Sequence, residues 1–256
     1  MPALAWQYWA LGGAILGAII GSFVATLVLR WPVERSVTAG RSACDACGRT
    51  LRVGELIPLL SIAVLRGRCR ACGATIDPLH WQIELACALA GCVAFGVAPG
   101  LAGIAGALFG WTLIALITLD LRHFWLPDKL TLALALSGLA AGLAGLTPSL
   151  SDRIYGGVAG YLSLALIAIS YRHLRGREGL GGGDPKLLGA IGLWLGWQAL
   201  PLVVLGGSGA GLLWVTVRAL RGNAVSATDH LPLGALLGTA AFPVWIAVTS
   251  GYWGAA

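Results

Sequence analysis

Six stretches of this 256-residue chain contain no Asp, Glu, Lys or Arg: residues 11–29, 85–119, 130–151, 154–171, 187–217 and 231–256. A helix needs about 20 mostly apolar residues to cross a bilayer. Two of the runs are long enough for a pair of helices. The run 85–119 breaks at Ala98-Pro99-Gly100, and the run 187–217 breaks near Ala199-Leu200-Pro201. The second pair is tight, so its helices are expected to start before or end after the uncharged window. The chain is read as an all-α polytopic membrane protein with about eight transmembrane helices. Composition agrees, since only 11% of residues are charged, against roughly 25% in soluble domains. No Lys or Arg precedes the first span, which is therefore read as a retained helix rather than a cleaved signal peptide.

Charge orients these helices. With the N-terminus outside, the connections 30–80, 121–129, 172–186 and 218–231 share one side and hold 8, 2, 4 and 2 basic residues, sixteen of the seventeen in the chain. Only Arg153 falls opposite. The positive-inside rule places the basic side in the cytoplasm. The net charge of +6 is spread over four loops, which argues against a nucleic-acid-binding face and leaves the lipid bilayer as the expected surroundings. The chain divides into a first transmembrane helix (1–29), a cytoplasmic loop (30–80) and a seven-helix membrane domain (81–256). The connection Arg218 to His230 reads as a polar linker.

The long first loop carries Cys44-Asp45-Ala46-Cys47-Gly48 and Cys69-Arg70-Ala71-Cys72-Gly73. A two-residue spacer lets both thiolates of a tight turn face one metal, and four thiolates close a tetrahedral structural site. In the reducing cytoplasm this favours zinc over disulfides. Cys44, Cys47, Cys69 and Cys72 are thus the expected zinc ligands, with a redox pair or idle thiols as the alternatives. Cys87 and Cys92, in the second span, read as small apolar packing residues.

Ionisable residues at membrane depth are costly and mark functional sites. Asp120 ends the third span and Asp184 opens the sixth, both at cytoplasmic ends, so the two can face one another. Facing carboxylates suit aspartic-protease chemistry: they share a proton, one activating water and the other polarising the scissile carbonyl. Gly181, Gly182 and Gly183 remove side chains beside Asp184 and let a substrate backbone approach. Other readings stay open. Asp184 before Pro185 suits a helix N-cap, Asp120 can pair with Arg122 or Lys129, and Asp128 reads mainly as a cap.

Taken together, these motifs resemble the type IV prepilin peptidase family, GxGD-type membrane aspartyl proteases. The likeness covers nearly the whole chain. It rests on Gly21-Ser22-Phe23, Ile57-Pro58-Leu59-Leu60-Ser61 with Leu65-Arg66-Gly67-Arg68-Cys69, Glu84, Asp120 followed by Leu126-Pro127-Asp128, and Gly181-Gly182-Gly183-Asp184 continued by Lys186-Leu187-Leu188. The resemblance implies that Asp120 and Asp184 are catalytic, with Gly181, Gly182, Gly183 and Lys186 forming the loop where substrate approaches. It further implies cleavage of the basic leader from prepilin or pseudopilin precursors, for pili or type II secretion, at the cytoplasmic face of the bacterial inner membrane. Many members also methylate the new N-terminus with S-adenosylmethionine, and Glu84 would contact the substrate or serve methyl transfer. That second activity stays open here, because Ala25, Arg35 and His80-Trp81 depart from the family's usual residues. A proton-coupled transporter is the alternative to a protease, and a zinc-stabilised adaptor without catalysis is a third reading.

Overall fold

A computed structural model describes residues 5–37, 41–177, 179–222 and 231–251. Most of the linker read over Arg218 to His230 lies outside these residues. Among the described residues no strand occurs. The helices are α1 (Ala5–Arg30), α2 (Leu60–Leu65), α3 (Leu79–Val97), α4 (Leu101–His123), α5 (Asp128–Leu143), α6 (Leu150–Arg175), α7 (Gly183–Leu195), α8 (Leu200–Leu220) and α9 (Leu233–Thr249). Apart from the short α2, these are the eight apolar helices expected from the uncharged runs.

Five of them, α1, α3, α4, α6 and α8, are long and apolar enough to cross a membrane. The others are shorter: α5 has 16 residues, α7 has 13 and α9 has 17. The tight pair behaves as the sequence requires. α7 begins four residues before its uncharged window and α8 ends three residues after it. The break falls at Gly196, whose φ of +76° a residue with a Cβ would adopt only at a cost.

Two compact units make up the chain, Met1–Ala115 and Leu116–Ala256, with the boundary inside α4. In the first, α1 lies along α3. The contact is built on glycines spaced by four on α1. A Cβ on Gly13 would meet the Gly91 carbonyl, one on Gly17 the Cys87 carbonyl, and one on Gly21 the backbone of Glu84. Small residues at this spacing let two backbones touch, the main source of helix adhesion where lipid removes the hydrophobic drive. The Trp111 indole closes the unit by donating to the Cys87 carbonyl at 2.9 Å.

In the second unit α7 packs against α5, α6 and α9, and ten of its thirteen residues are buried. Glycines again set the approach: Gly156 and Gly160 of α6 face the Gly192 and Leu188 carbonyls of α7. The result is a short helix enclosed by its neighbours, with Asp184 in its first turn.

Candidate active site and metal centre

Asp120 sits in the last turns of α4, which Phe124 terminates at a φ of +48°. Asp184 sits in the first turn of α7, where Gly182 rather than Asp184 is the N-cap. Both carboxylates are almost fully buried, at 5% and 7% exposure. The structure brings them together. Each lies against the backbone N–H of Gly234, and they are near enough for the charge on Asp120 to act on Asp184. Asp120 Oδ2 also accepts the Ala235 N–H at 2.7 Å, and Asp184 Oδ2 accepts the Gly181 N–H at 3.1 Å. Two buried carboxyls in one neighbourhood suit acid–base chemistry, which needs one acid protonated and the other ionised.

Backbone room around the pair comes from glycine. A Cβ on Gly183 would strike Leu126, and one on Gly234 would strike Leu126 and approach Asp120 Oδ2. Nothing stands within 4 Å of the position of a Cβ on Gly182. Lys186 does not point at the pair. Its Nζ donates to Asp128 Oδ1 at 2.6 Å, joining the first turns of α5 and α7 at an exposed position. Asp128 is the first residue of α5 and makes no capping bond, the N-cap being Pro127. Gly234 and Ala235 were not singled out from the sequence. Backbone amides have no residue signature, and only Leu231-Pro232-Leu233-Gly234, a proline before a run with glycine in its first turn, hints at an accessible helix start.

The cysteine motifs fold as two matching turns. In one, Cys44 N–H donates to the Arg49 carbonyl at 2.9 Å and Gly48 N–H returns to the Cys44 carbonyl at 2.9 Å. In the other, Cys69 pairs with Ala74 at 2.8 Å and Gly73 returns to Cys69 at 2.9 Å. Gly48 and Gly73 take φ values of +69° and +71°, which glycine adopts freely. The four cysteines are free, and their Sγ atoms lie within 4.8 Å of one another. Cys44 and Cys72 sulfurs are 3.9 Å apart, close to the ~3.8 Å edge of a tetrahedron with metal–sulfur bonds of ~2.3 Å. The donor set and its spacing fit a metal ion. The N–H groups of Cys72 and Ala71 pull the Cys69 thiol down to about 6. Beside it, the Arg49 guanidinium binds Glu55 at 2.6 Å and lies against the Cys69 sulfur.

Glu84 is buried at 5% exposure near the start of α3. Its Oε2 accepts the Leu59 N–H at 2.8 Å, tying down a residue held at a φ of +61°. It also lines a cavity of about 720 Å³ beneath the cysteine turns, together with Ser22, Arg30, Asp45, Asp77 and His80. Arg35 pairs with Asp45 at 2.9 Å, at the mouth of the first cysteine motif.

Comparison with known proteins agrees with these features. Residues 15–97 match the Bacterial Peptidase A24 N-terminal domain, and residues 107–216 match the type IV leader peptidase family. Similar relatives include the prepilin leader peptidase/N-methyltransferase of Aeromonas hydrophila, 38% identical over 97% of this chain and 92% of that protein. The protein of the same name from Dickeya chrysanthemi is 41% identical over 84% of this chain and 86% of its own, and that from Pseudomonas aeruginosa is 39% identical over 93% and 89%. No solved structure matches the chain.

Proposed function

Because the chain belongs to the type IV leader peptidase family, we propose that it cuts the leader from prepilin-like or pseudopilin precursors with Asp120 and Asp184. The observation that carries this reading is the burial of both carboxylates against the one Gly234 amide, beside a glycine segment that leaves room for a peptide. One carboxylate takes a proton from water as its oxygen bonds the scissile carbonyl carbon, and the other gives its proton to the carbonyl oxygen. Collapse of the tetrahedral adduct breaks the C–N bond as one of its hydroxyls returns a proton to the second carboxylate, and the departing amine takes the proton the first acid gained. Asp128 takes no part, being paired with Lys186. Transport, the alternative reading, finds no support in the three relatives named above, which carry peptidase names.

The membrane is the bacterial inner membrane, the N-terminus lies outside, and the aspartates open to the cytoplasm. Sixteen of the seventeen Lys and Arg on that side support this orientation. Basic loops would repel a basic leader, so specificity rests on packing of the substrate's apolar helix and on acidic groups such as Glu84. The cysteine site holds structural zinc, which cross-links two loop turns that have little core of their own.

S-adenosylmethionine would supply the methyl group for the new N-terminus. The cavity above Glu84 fits such a molecule in charge: Asp45, Asp77 and Glu84 suit its cationic groups and Arg30 its carboxylate. These residues would bind and orient, and Glu84 would in addition keep Leu59 in place. Mass spectrometry of a pilin co-expressed with this protein tests both activities. A product cut after its leader glycine supports the peptidase, and an added methyl on the new amine supports the second activity. An uncut precursor contradicts the reading. A Glu84→Gln protein with unchanged turnover and unchanged S-adenosylmethionine binding by calorimetry would remove the role given to Glu84.

A further inference from the structure

Asp120 and Asp184 are held in different ways. Asp184 Oδ2 accepts from Gly181 three residues earlier, within a segment of three consecutive glycines, and the carboxylate shares the Gly234 N–H with Asp120. Asp120 is bonded across the fold. Its Oδ2 takes the Ala235 N–H at 2.7 Å from a residue 115 positions away, in buried surroundings, and lies against the Gly234 N–H as well.

These amides belong to the first turn of α9, whose N-cap, Pro232, offers no side-chain bond. The first four N–H groups of a helix lack partners within it, and a carboxylate there gains both hydrogen bonds and the favourable end of the helix dipole. Asp120 therefore serves as the cap of α9, supplied by a different helix. The contact depends on position 234 having no side chain. A Cβ there would stand 3.1 Å from Asp120 Oδ2 and 2.7 Å from Leu126 Cδ1. The end of Leu126 can swing aside. The Asp120 oxygen would have to give by a few tenths of an ångström while held by its 2.7 Å bond to the Ala235 N–H.

We propose that Ala235, at the N-terminus of α9, is a positioning residue for Asp120, its N–H fixing that carboxylate from across the fold, with Gly234 keeping the space beside it open. This rests on the aspartate pair being the hydrolytic site. Preorganisation of one acid lowers the reorganisation needed during reaction.

Two measurements on the full chain in detergent test this. The first is cleavage of a prepilin-derived peptide by Gly234→Ala, Leu126→Ala and the double variant. Gly234→Ala is expected to lower kcat at least about tenfold with KM changed less than about twofold, and adding Leu126→Ala is expected not to restore kcat. Normal kcat in Gly234→Ala, or recovery in the double variant, would trace any effect to Leu126 packing and overturn the proposal. The second is hydrogen exchange at the Ala235 amide, which donates to Asp120, in the wild type, Asp120→Ala and Asp184→Ala. Exchange is expected to quicken at least about tenfold in Asp120→Ala and to stay at the wild-type rate in Asp184→Ala. Equal protection in both variants overturns the proposal. Because exchange needs no turnover, it decides the capping role even if no peptide is ever cut.

Discussion

Arg153 is buried to 2% exposure and no described carboxylate pairs with it. Its guanidinium donates instead to the carbonyls of Pro148, Gly138, Leu193, Trp194, Leu146 and Thr147 at 2.8–3.3 Å, and lies 6.0 Å from the Trp194 ring. Of these acceptors, Leu193 and Trp194 lie in the last turn of α7, at its negative end, while Leu146, Thr147 and Pro148 lie in the connection from α5 to α6 and Gly138 lies within α5. Arg153→Met should cost about 2–4 kcal/mol by orphaning several of them, read as a lower melting temperature in detergent. Arg153→Lys, with three donors, should recover only part. A melt unchanged in both variants would contradict this role. Cys69 makes a second residue-scale prediction. Its thiol is lowered to about 6, while, against the Ala74 N–H, burial and the neighbouring thiols raise that of Cys72 to about 11, so binding a metal through all four sulfurs releases protons and acid opposes it. Metal retention should therefore weaken on acidification below about pH 6 and hold from pH 7 to 8, measured as zinc released to a chromogenic chelator. Release that grows with rising pH over that range would be the wrong sign. At Asp128, the exposed pair with Lys186 should contribute no more than about 1 kcal/mol, so Asp128→Asn should melt close to wild type.

Between helices, glycine governs how closely α7 is enclosed. A Cβ on Gly192 would press on the Gly156 carbonyl, and one on Gly156 on the Gly192 carbonyl. Gly192→Val should force α6 and α7 apart and displace the helix that carries Asp184. The expected outcome is loss of cleavage together with loss of folded yield, whereas Gly209→Val, where nothing lies within 4 Å, should leave both near wild type. Retained activity in Gly192→Val would show that the α6–α7 approach is not needed. The same helices show what charge patterns can and cannot reveal. The uncharged window 154–171 placed the fifth span after Arg153, yet α6 starts at Leu150 with Ser149 as its cap, bonded to the Asp152 N–H. A window that stops at charges cannot see a charge absorbed into a helix by backbone carbonyls. The run 130–151 likewise overstates α5, which ends at Leu143 before Gly145 at a φ of +77°.

For the whole molecule, eight apolar helices and the paired cysteine turns were legible because both leave marks in residue type: uncharged length in one case and spacing with a following glycine in the other. Asp120 and Asp184 were legible as carboxylates at the ends of apolar runs. The surroundings that give them chemistry were not. Gly234 and Ala235 act through main-chain N–H groups, Leu126 acts by covering two distant glycines, and Glu84 holds Leu59 across 25 residues. Such contacts exist only once the chain has folded. Orientation in the membrane is a prediction at this scale. With the cysteine loop in the cytoplasm, a membrane-impermeant maleimide applied to intact spheroplasts should leave Cys47 and Cys72 unlabelled, and should label them after lysis and chelation. Labelling before lysis would reverse the topology.

The most direct measurement is cleavage of a prepilin-like peptide by purified protein in detergent, comparing wild type with Asp120→Asn, Asp184→Asn and Asp128→Asn at matched folded fraction. Wild type and Asp128→Asn should cut at similar rates, while the other two should fall by at least about 10²-fold, the usual scale for losing a general acid or base. Normal cutting by either the Asp120 or the Asp184 variant would contradict the two-aspartate account.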